Sequence, residues 1–197
     1  MAKTARRIAG MVMAGAMLIA PRPVAAGHAG MTPEPQSTPG TGQAVSAATH
    51  DHRVRSNNTA IVTLIEQASE KSATFRHLLD TLNAGDSMVY VVEGDCPHGV
   101  RACFTSVTIA GSRRVMWVTV DTRKAEWDLM GSIGHELRHT IEVAGDPTVT
   151  SNSAMYFFYL AHGTHSGRRA FETRAATDTG NAVRAEVRAF NHRAKVN

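Results

Sequence analysis

His135 and His139 stand four residues apart in the run Gly134-His135-Glu136-Leu137-Arg138-His139. On a helix this spacing stacks the two imidazoles on one face, a turn apart. Two such nitrogens can converge on one zinc ion, which takes imidazole ligands at about 2.0–2.1 Å. Glu136 is rotated by about 100° from His135 around the helix, near the ion without having to bind it. Zinc brings the pKa of a bound water toward neutrality, and a carboxylate in that position takes up the proton as the water attacks a carbonyl. The bland alternative is a solvated His/Glu face on an ordinary helix.

The helix itself is legible. Met130, Ile133, Leu137, Ile141 and Ala144 recur at helical spacing over about 124–144, and Ile133 lies roughly 200° around from His135. The apolar stripe therefore faces one way and the histidines the other. Gly145-Asp146-Pro147 ends the helix, because Gly suits a left-handed cap and Pro cannot continue the turn. Gly131 and Gly134 each cost the helix about 1 kcal/mol relative to Ala. That cost implies close passage of another backbone, for which the strand Arg114–Val120 is the nominee.

Upstream, Ile61, Leu64, Ile65 and Ala68, then Phe75, Leu78, Leu79 and Leu82, predict two short helices before the turn Asn83-Ala84-Gly85-Asp86. Met88–Val92 is a β-rich run. Ala102–Ala110 and Arg114–Val120, joined by Gly111-Ser112-Arg113, read as a hairpin. Downstream, Ala154–His162 is an aromatic helix, and about Arg169–Lys195 reads as a long terminal helix. Helices, then strands, then helices make an α+β domain, with a small antiparallel or mixed sheet packed on the His-bearing helix.

The N-terminus speaks of export. Lys3, Arg6 and Arg7 precede an apolar stretch, Ile8–Ala20, and Val24-Ala25-Ala26 offers the small residues of a cleavage site. Residues 1–26 are thus expected to be a signal peptide. The alternative, an uncleaved anchor, suffers from a stretch shorter than the roughly 20 residues that span a bilayer. The formal charge of +4 sits wholly in Lys3, Arg6, Arg7 and Arg22, so the chain after Ala26 is neutral. No basic run or aromatic-interleaved patch points to nucleic acid. Residues 27–55, rich in Gly, Thr, Pro, Ser and Ala, read as a flexible linker, and 56–197 as the globular domain. His50-Asp51-His52 in that linker is either solvated or a weak metal catch. Cys96 and Cys103, the two cysteines, are expected to form one local disulfide in an oxidising compartment.

The hexapeptide around His135 resembles the active-site helix of the zincin metallopeptidases. Phe171-Glu172-Thr173-Arg174-Ala175-Ala176 resembles the glutamate-bearing helix of the gluzincin branch. The likeness spans about Ser87–Glu186, is specific only in the His-Glu-x-x-His core, and is shared with small exported bacterial proteins bearing the same helix. It implies a mixed sheet over the active-site helix, an edge strand that binds an extended peptide, and Glu172 as third zinc ligand. This chain departs from the thermolysin-type pattern at Ala176, where an acid would stand; Asp178 lies two residues on.

Glu142 competes with Glu172 for the ligand role. It shares the histidines' face, but a helix rises 1.5 Å per residue, so it lies about 4.5 Å beyond His139 along the axis. Three ligands in a line do not easily enclose a tetrahedral ion. Glu142 is therefore read as a supporting or surface acid, and Glu172 as the ligand, against the alternative of a solvated charge near Arg168, Arg169 and Arg174. An electrophile for the oxyanion would come from Tyr156, Tyr159, His162 or His165. The tyrosines also fit core aromatics, which leaves His165 the better candidate.

The expectation is an exported zinc-dependent metallopeptidase acting on a peptide or protein, with Glu136 as base and His135, His139 and Glu172 on the metal. Two rivals stand beside it: a non-catalytic zinc-binding interaction module, and a zinc hydrolase of cell-wall or other amides. The sequence carries no signal for oligomeric state or cleavage preference.

Overall fold

A computed structural model describes residues 52–123, 126–165 and 171–196. The expected signal peptide and nearly all of the expected linker lie outside the described residues, as do His50 and Asp51. Among the described residues no helix is long and apolar enough to cross a membrane.

The order of elements is β1 (Val54–Arg55), α1 (Thr59–Lys71), α2 (Ala73–Ala84), β2 (Met88–Glu93), β3 (Ala102–Ala110), β4 (Arg113–Val120), α3 (Glu126–Ala144), α4 (Asn152–His162), β5 (Thr164–His165), β6 (Phe171–Glu172) and α5 (Arg174–Val196). A mixed sheet runs β1-β2-β4-β3, with β1, β2 and β4 parallel and β3 antiparallel to β4. β5 and β6 form a separate two-stranded ribbon. The class is α+β, as read from the order of segments.

Alternation decides which sheet face is covered. Arg114, Met116, Val118 and Val120 of β4 are buried, and so are Val89 and Val91 of β2, which pair in register with Met116 and Val118. The apolar ones among them join Ile61, Leu64, Phe75, Leu78, Ile133, Leu137, Val183 and Val187 from the helices in one core. On the opposite face Tyr90 and Trp117, also register partners, stack at 4.9 Å. The β3–β4 hairpin closes on Gly111-Ser112, and Gly111 takes the positive φ of +62° that this short turn needs.

Helix ends are set by single side chains. Asn58 accepts the first N–H groups of α1. Ser72 closes α1 through its own N–H and opens α2 by accepting from Phe75. The C-terminus of α3 is held by the buried Arg114 of β4, whose guanidinium donates to the carbonyls of Val143, Ala144 and Asp146.

Three expectations need correction. Val54 and Arg55, read as linker, form the edge strand β1, because Val54 reaches the core and the pair aligns with Val89 and Tyr90. The last helix starts at Arg174, not near Arg169: the Thr173 hydroxyl accepts from the Ala176 N–H and caps it there, leaving Phe171 and Glu172 extended. The element close to Gly131 and Gly134 is α5, not β4. A methyl group on Gly134 would stand 3.0 Å from Val183 Cγ2, and one on Gly180 of α5 3.0 Å from His135 Cβ and 3.1 Å from the Gly131 carbonyl.

Candidate metal centre

The glycine contact between α3 and α5 is what shapes the site. With no Cβ at Gly131, Gly134 or Gly180, the helices approach until His135 lies against the first turns of α5. Glu172, two residues before α5 begins, is thereby brought over the histidine face of α3. On the other flank α4 lays Tyr159 against His139, ring edge to ring face at 5.1 Å, and the buried Tyr159 hydroxyl donates to the His139 carbonyl at 3.0 Å.

His135, Glu136 and His139 form a compact group whose ligand-capable atoms lie within 4.8 Å of one another. Glu172 Oε2 is 3.0 Å from His135 Nε2 and 3.9 Å from His139 Nε2. Tetrahedral zinc with bonds of 2.0–2.1 Å would hold its ligand atoms about 3.3 Å apart, which these separations bracket. Although 3.0 Å is within hydrogen-bonding range, the buried Glu172 Oε2 has no hydrogen-bond partner. A buried carboxylate oxygen without a donor, facing two imidazole nitrogens, is the arrangement a cation resolves. The residues fit a divalent metal.

Glu136 is fixed from behind. Its Oε2 accepts the backbone N–H of Phe104 in β3 at 2.8 Å, while Oε1 lies 3.9 Å from His135 Nε2. Between Phe104 and Ser106 the β3 register slips, a bulge of the kind that re-aims a strand beside a site. Three residues after Phe104, the Val107 N–H is taken by Asn152 Oδ1 at 2.8 Å. Side chains thus occupy the Phe104 and Val107 N–H groups on the outer edge of β3, an edge strand of the kind the resemblance implies for peptide binding.

Glu142 stands behind His139: Oε2 is 3.0 Å from Nδ1, and Oε1 accepts the Thr173 hydroxyl at 2.7 Å. The neighbours also set protonation. Burial pushes the Glu136 carboxyl up, against the pull of the two histidines. For His135 burial opposes the charged form, but Glu172 and then Glu136 outweigh it and raise the imidazole. Burial likewise works against the anions of Glu142 and Glu172; hydrogen bonds from His139 and Thr173 lower the first, and His135 lowers the second. Tyr159 is driven well above its ordinary value, chiefly by burial and then by Glu142, Glu136 and Glu172.

Of the residues nominated from sequence, His135, Glu136, His139 and Glu172 come together, with Glu142 beside them. Glu172 is carried by β6, not by a helix. The Tyr159 hydroxyl is committed to a backbone carbonyl, and His162 stacks on Phe158 with Nδ1 at 2.9 Å from that residue's carbonyl. Tyr156 lies half-exposed against Phe171, and the His165 side chain is outside the described residues. Sequence reasoning missed the Phe104 N–H, which no pattern marks, and Thr173, whose place just ahead of a helix was a readable capping signal. No protein-family model, no curated protein and no solved structure matches the chain. The site is therefore read from its own chemistry.

Proposed function

We propose that the protein is an exported zinc-dependent hydrolase of peptide bonds, with His135, His139 and Glu172 holding the metal and Glu136 as base. One observation carries this reading: the buried Glu172 Oε2, without a well-aligned hydrogen bond, lies 3.0 and 3.9 Å from two imidazole nitrogens, with a second carboxylate alongside. Zinc is the metal whose chemistry suits two imidazoles and a carboxylate with a position left open, and it supplies an acidified water and a polarised carbonyl. The chain does the rest. The Phe104 N–H anchors one Glu136 oxygen, so the other is held toward the cluster to accept a proton and later return it to the leaving amine. The Glu172 side chain, 38% exposed against 6% for that of His139, marks the side from which a substrate reaches the group. The disulfide between Cys96 and Cys103 accords with an oxidising compartment.

A non-catalytic zinc-binding module is the second reading, and the closed outer edge of β3 favours it, since the usual grip on an extended main chain is taken at Phe104 and Val107. Metal analysis with a peptide-library digest separates the two. On the enzyme reading Glu136→Gln, which keeps an acceptor for Phe104, retains one zinc per chain and loses about 10²- to 10⁴-fold in hydrolysis. Zinc in the wild type with no cleavage of any peptide would overturn the peptidase reading.

A further inference from the structure

We infer that Thr173 is a positioning residue for the metal: with Glu142 it forms a latch that assembles the ligand set before any ion arrives. The proposal rests on the zinc reading above. His135 and His139 are fixed together on α3, but Glu172 comes from a different element, and something must hold it across from them. The neighbouring residue does so. Thr173 donates its hydroxyl to Glu142 Oε1 at 2.7 Å, and the same oxygen of Thr173 accepts the Ala176 N–H at 3.1 Å, fixing the start of α5. The other Glu142 oxygen lies 3.0 Å from His139 Nδ1.

One carboxylate therefore grips His139 from behind with one oxygen and the Glu172 segment with the other. Held by a carboxylate, Nδ1 keeps its proton, and the lone pair of His139 falls on Nε2, the atom that faces Glu172. The ring orientation of one ligand and the location of another are thus set by a single carboxylate, whose Oε1 takes the Thr173 hydroxyl and also lies 3.6 Å from Arg138 Nε. Glu142 is carried on α3 three residues after His139, so its backbone stays with the histidines and not with the Glu172 segment if the hydroxyl is lost. Without Thr173 the chain must order Glu172 at the moment of binding, and affinity falls by that ordering cost.

The test is a double-mutant cycle read by zinc affinity in competition with a chromophoric chelator, on the disulfide-bonded chain. Thr173→Val removes the hydroxyl at constant shape and is expected to weaken zinc binding about 10- to 100-fold, as loss of an outer partner of a ligand does. Thr173→Ser keeps the hydroxyl and should bind within about threefold of wild type on the same scale. In a Glu142→Ala background, which has no acceptor for the hydroxyl, the Thr173→Val loss should shrink to about threefold or less. Thermal unfolding of the metal-free variants reports the capping role on its own. An equal loss from Thr173→Val in both backgrounds would reduce Thr173 to a helix cap and overturn the latch. A wild type that binds no zinc would instead remove the metal reading on which the latch depends, a result distinct from additivity.

Discussion

At His139 the two ring nitrogens have different neighbours, Glu142 on one side and Glu172 on the other, and a substitution test can tell them apart. Glu172→Ala removes an atom that faces both histidines and is expected to abolish tight zinc binding. Glu142→Ala leaves the three metal-facing atoms in place and is expected to weaken binding about 10- to 100-fold. Zinc affinities measured on folded variants check the ranking, and the reverse order would make Glu142 the ligand. This pair was half legible beforehand. The rise of a helix argued Glu142 away from the ion, whereas its grip on Thr173 depends on where β6 ends, which sequence spacing does not reveal.

Between elements, α5 is the clamp. Near its start it meets α3 through Gly180, and further along Glu186 reaches the N-terminus of α2. The Glu186 carboxylate accepts the Ser72 hydroxyl at 2.6 Å, the Thr74 hydroxyl at 2.7 Å and the Thr74 N–H at 3.0 Å. Burial opposes its charge, but those donors hold its folded-state pKa below the ordinary value. A depressed carboxyl stabilises the fold above its unfolded pKa of about 4.3, and that stability is lost as pH falls through the lower, folded value. Glu186→Gln should therefore cost about 1 kcal/mol near neutrality, a charged hydrogen-bond value discounted for solvent exposure, and less at pH 3. Denaturant melts at both pH values check it; an equal loss at both would refute the linkage. At the Gly180 contact, Gly180→Ala should shift α5 away from His135 and lower zinc affinity with it, whereas Gly111→Ala, strained in a distant turn, should cost stability without touching the metal. The helices and the hairpin could be read from apolar periodicity and Gly111. The identity of α5 as the glycines' neighbour could not, because a close crossing is a property of two segments far apart in sequence.

For the molecule as a whole, the strand β3 joins chemistry to stability. Cys103 is bonded to Cys96 with their Cα atoms 5.9 Å apart, and the next residue, Phe104, holds Glu136. Mass spectrometry of exported material before and after reduction should find one intramolecular bond. Replacing both cysteines by serine should cost about 2 to 3 kcal/mol, small because the loop is short. Two alkylatable thiols in recovered protein would contradict the pairing. Sequence reading supplied this bond and the α+β order, but it did not supply the parallel pairing of β2 with β4 or the two-residue strand β1. Both depend on register pairs such as Val54 with Val89 and Val89 with Met116, which join segments far apart in sequence, and a two-residue strand has no periodicity to detect.

The side chains that occupy the outer edge of β3 bear on how crowded copies of this protein behave. An open strand edge is a template for another chain, and natural sheets guard it with charges, bulges or covers. Here the bulge, the Glu136 carboxylate and the Asn152 amide guard the edge together. One of those three guards is the proposed base itself, so colloidal stability and chemistry draw on one residue. Asn152→Ala frees the Val107 N–H without touching any metal-facing atom. In concentrated solution that variant should self-associate and form thioflavin-positive material sooner than wild type, while zinc stoichiometry stays unchanged.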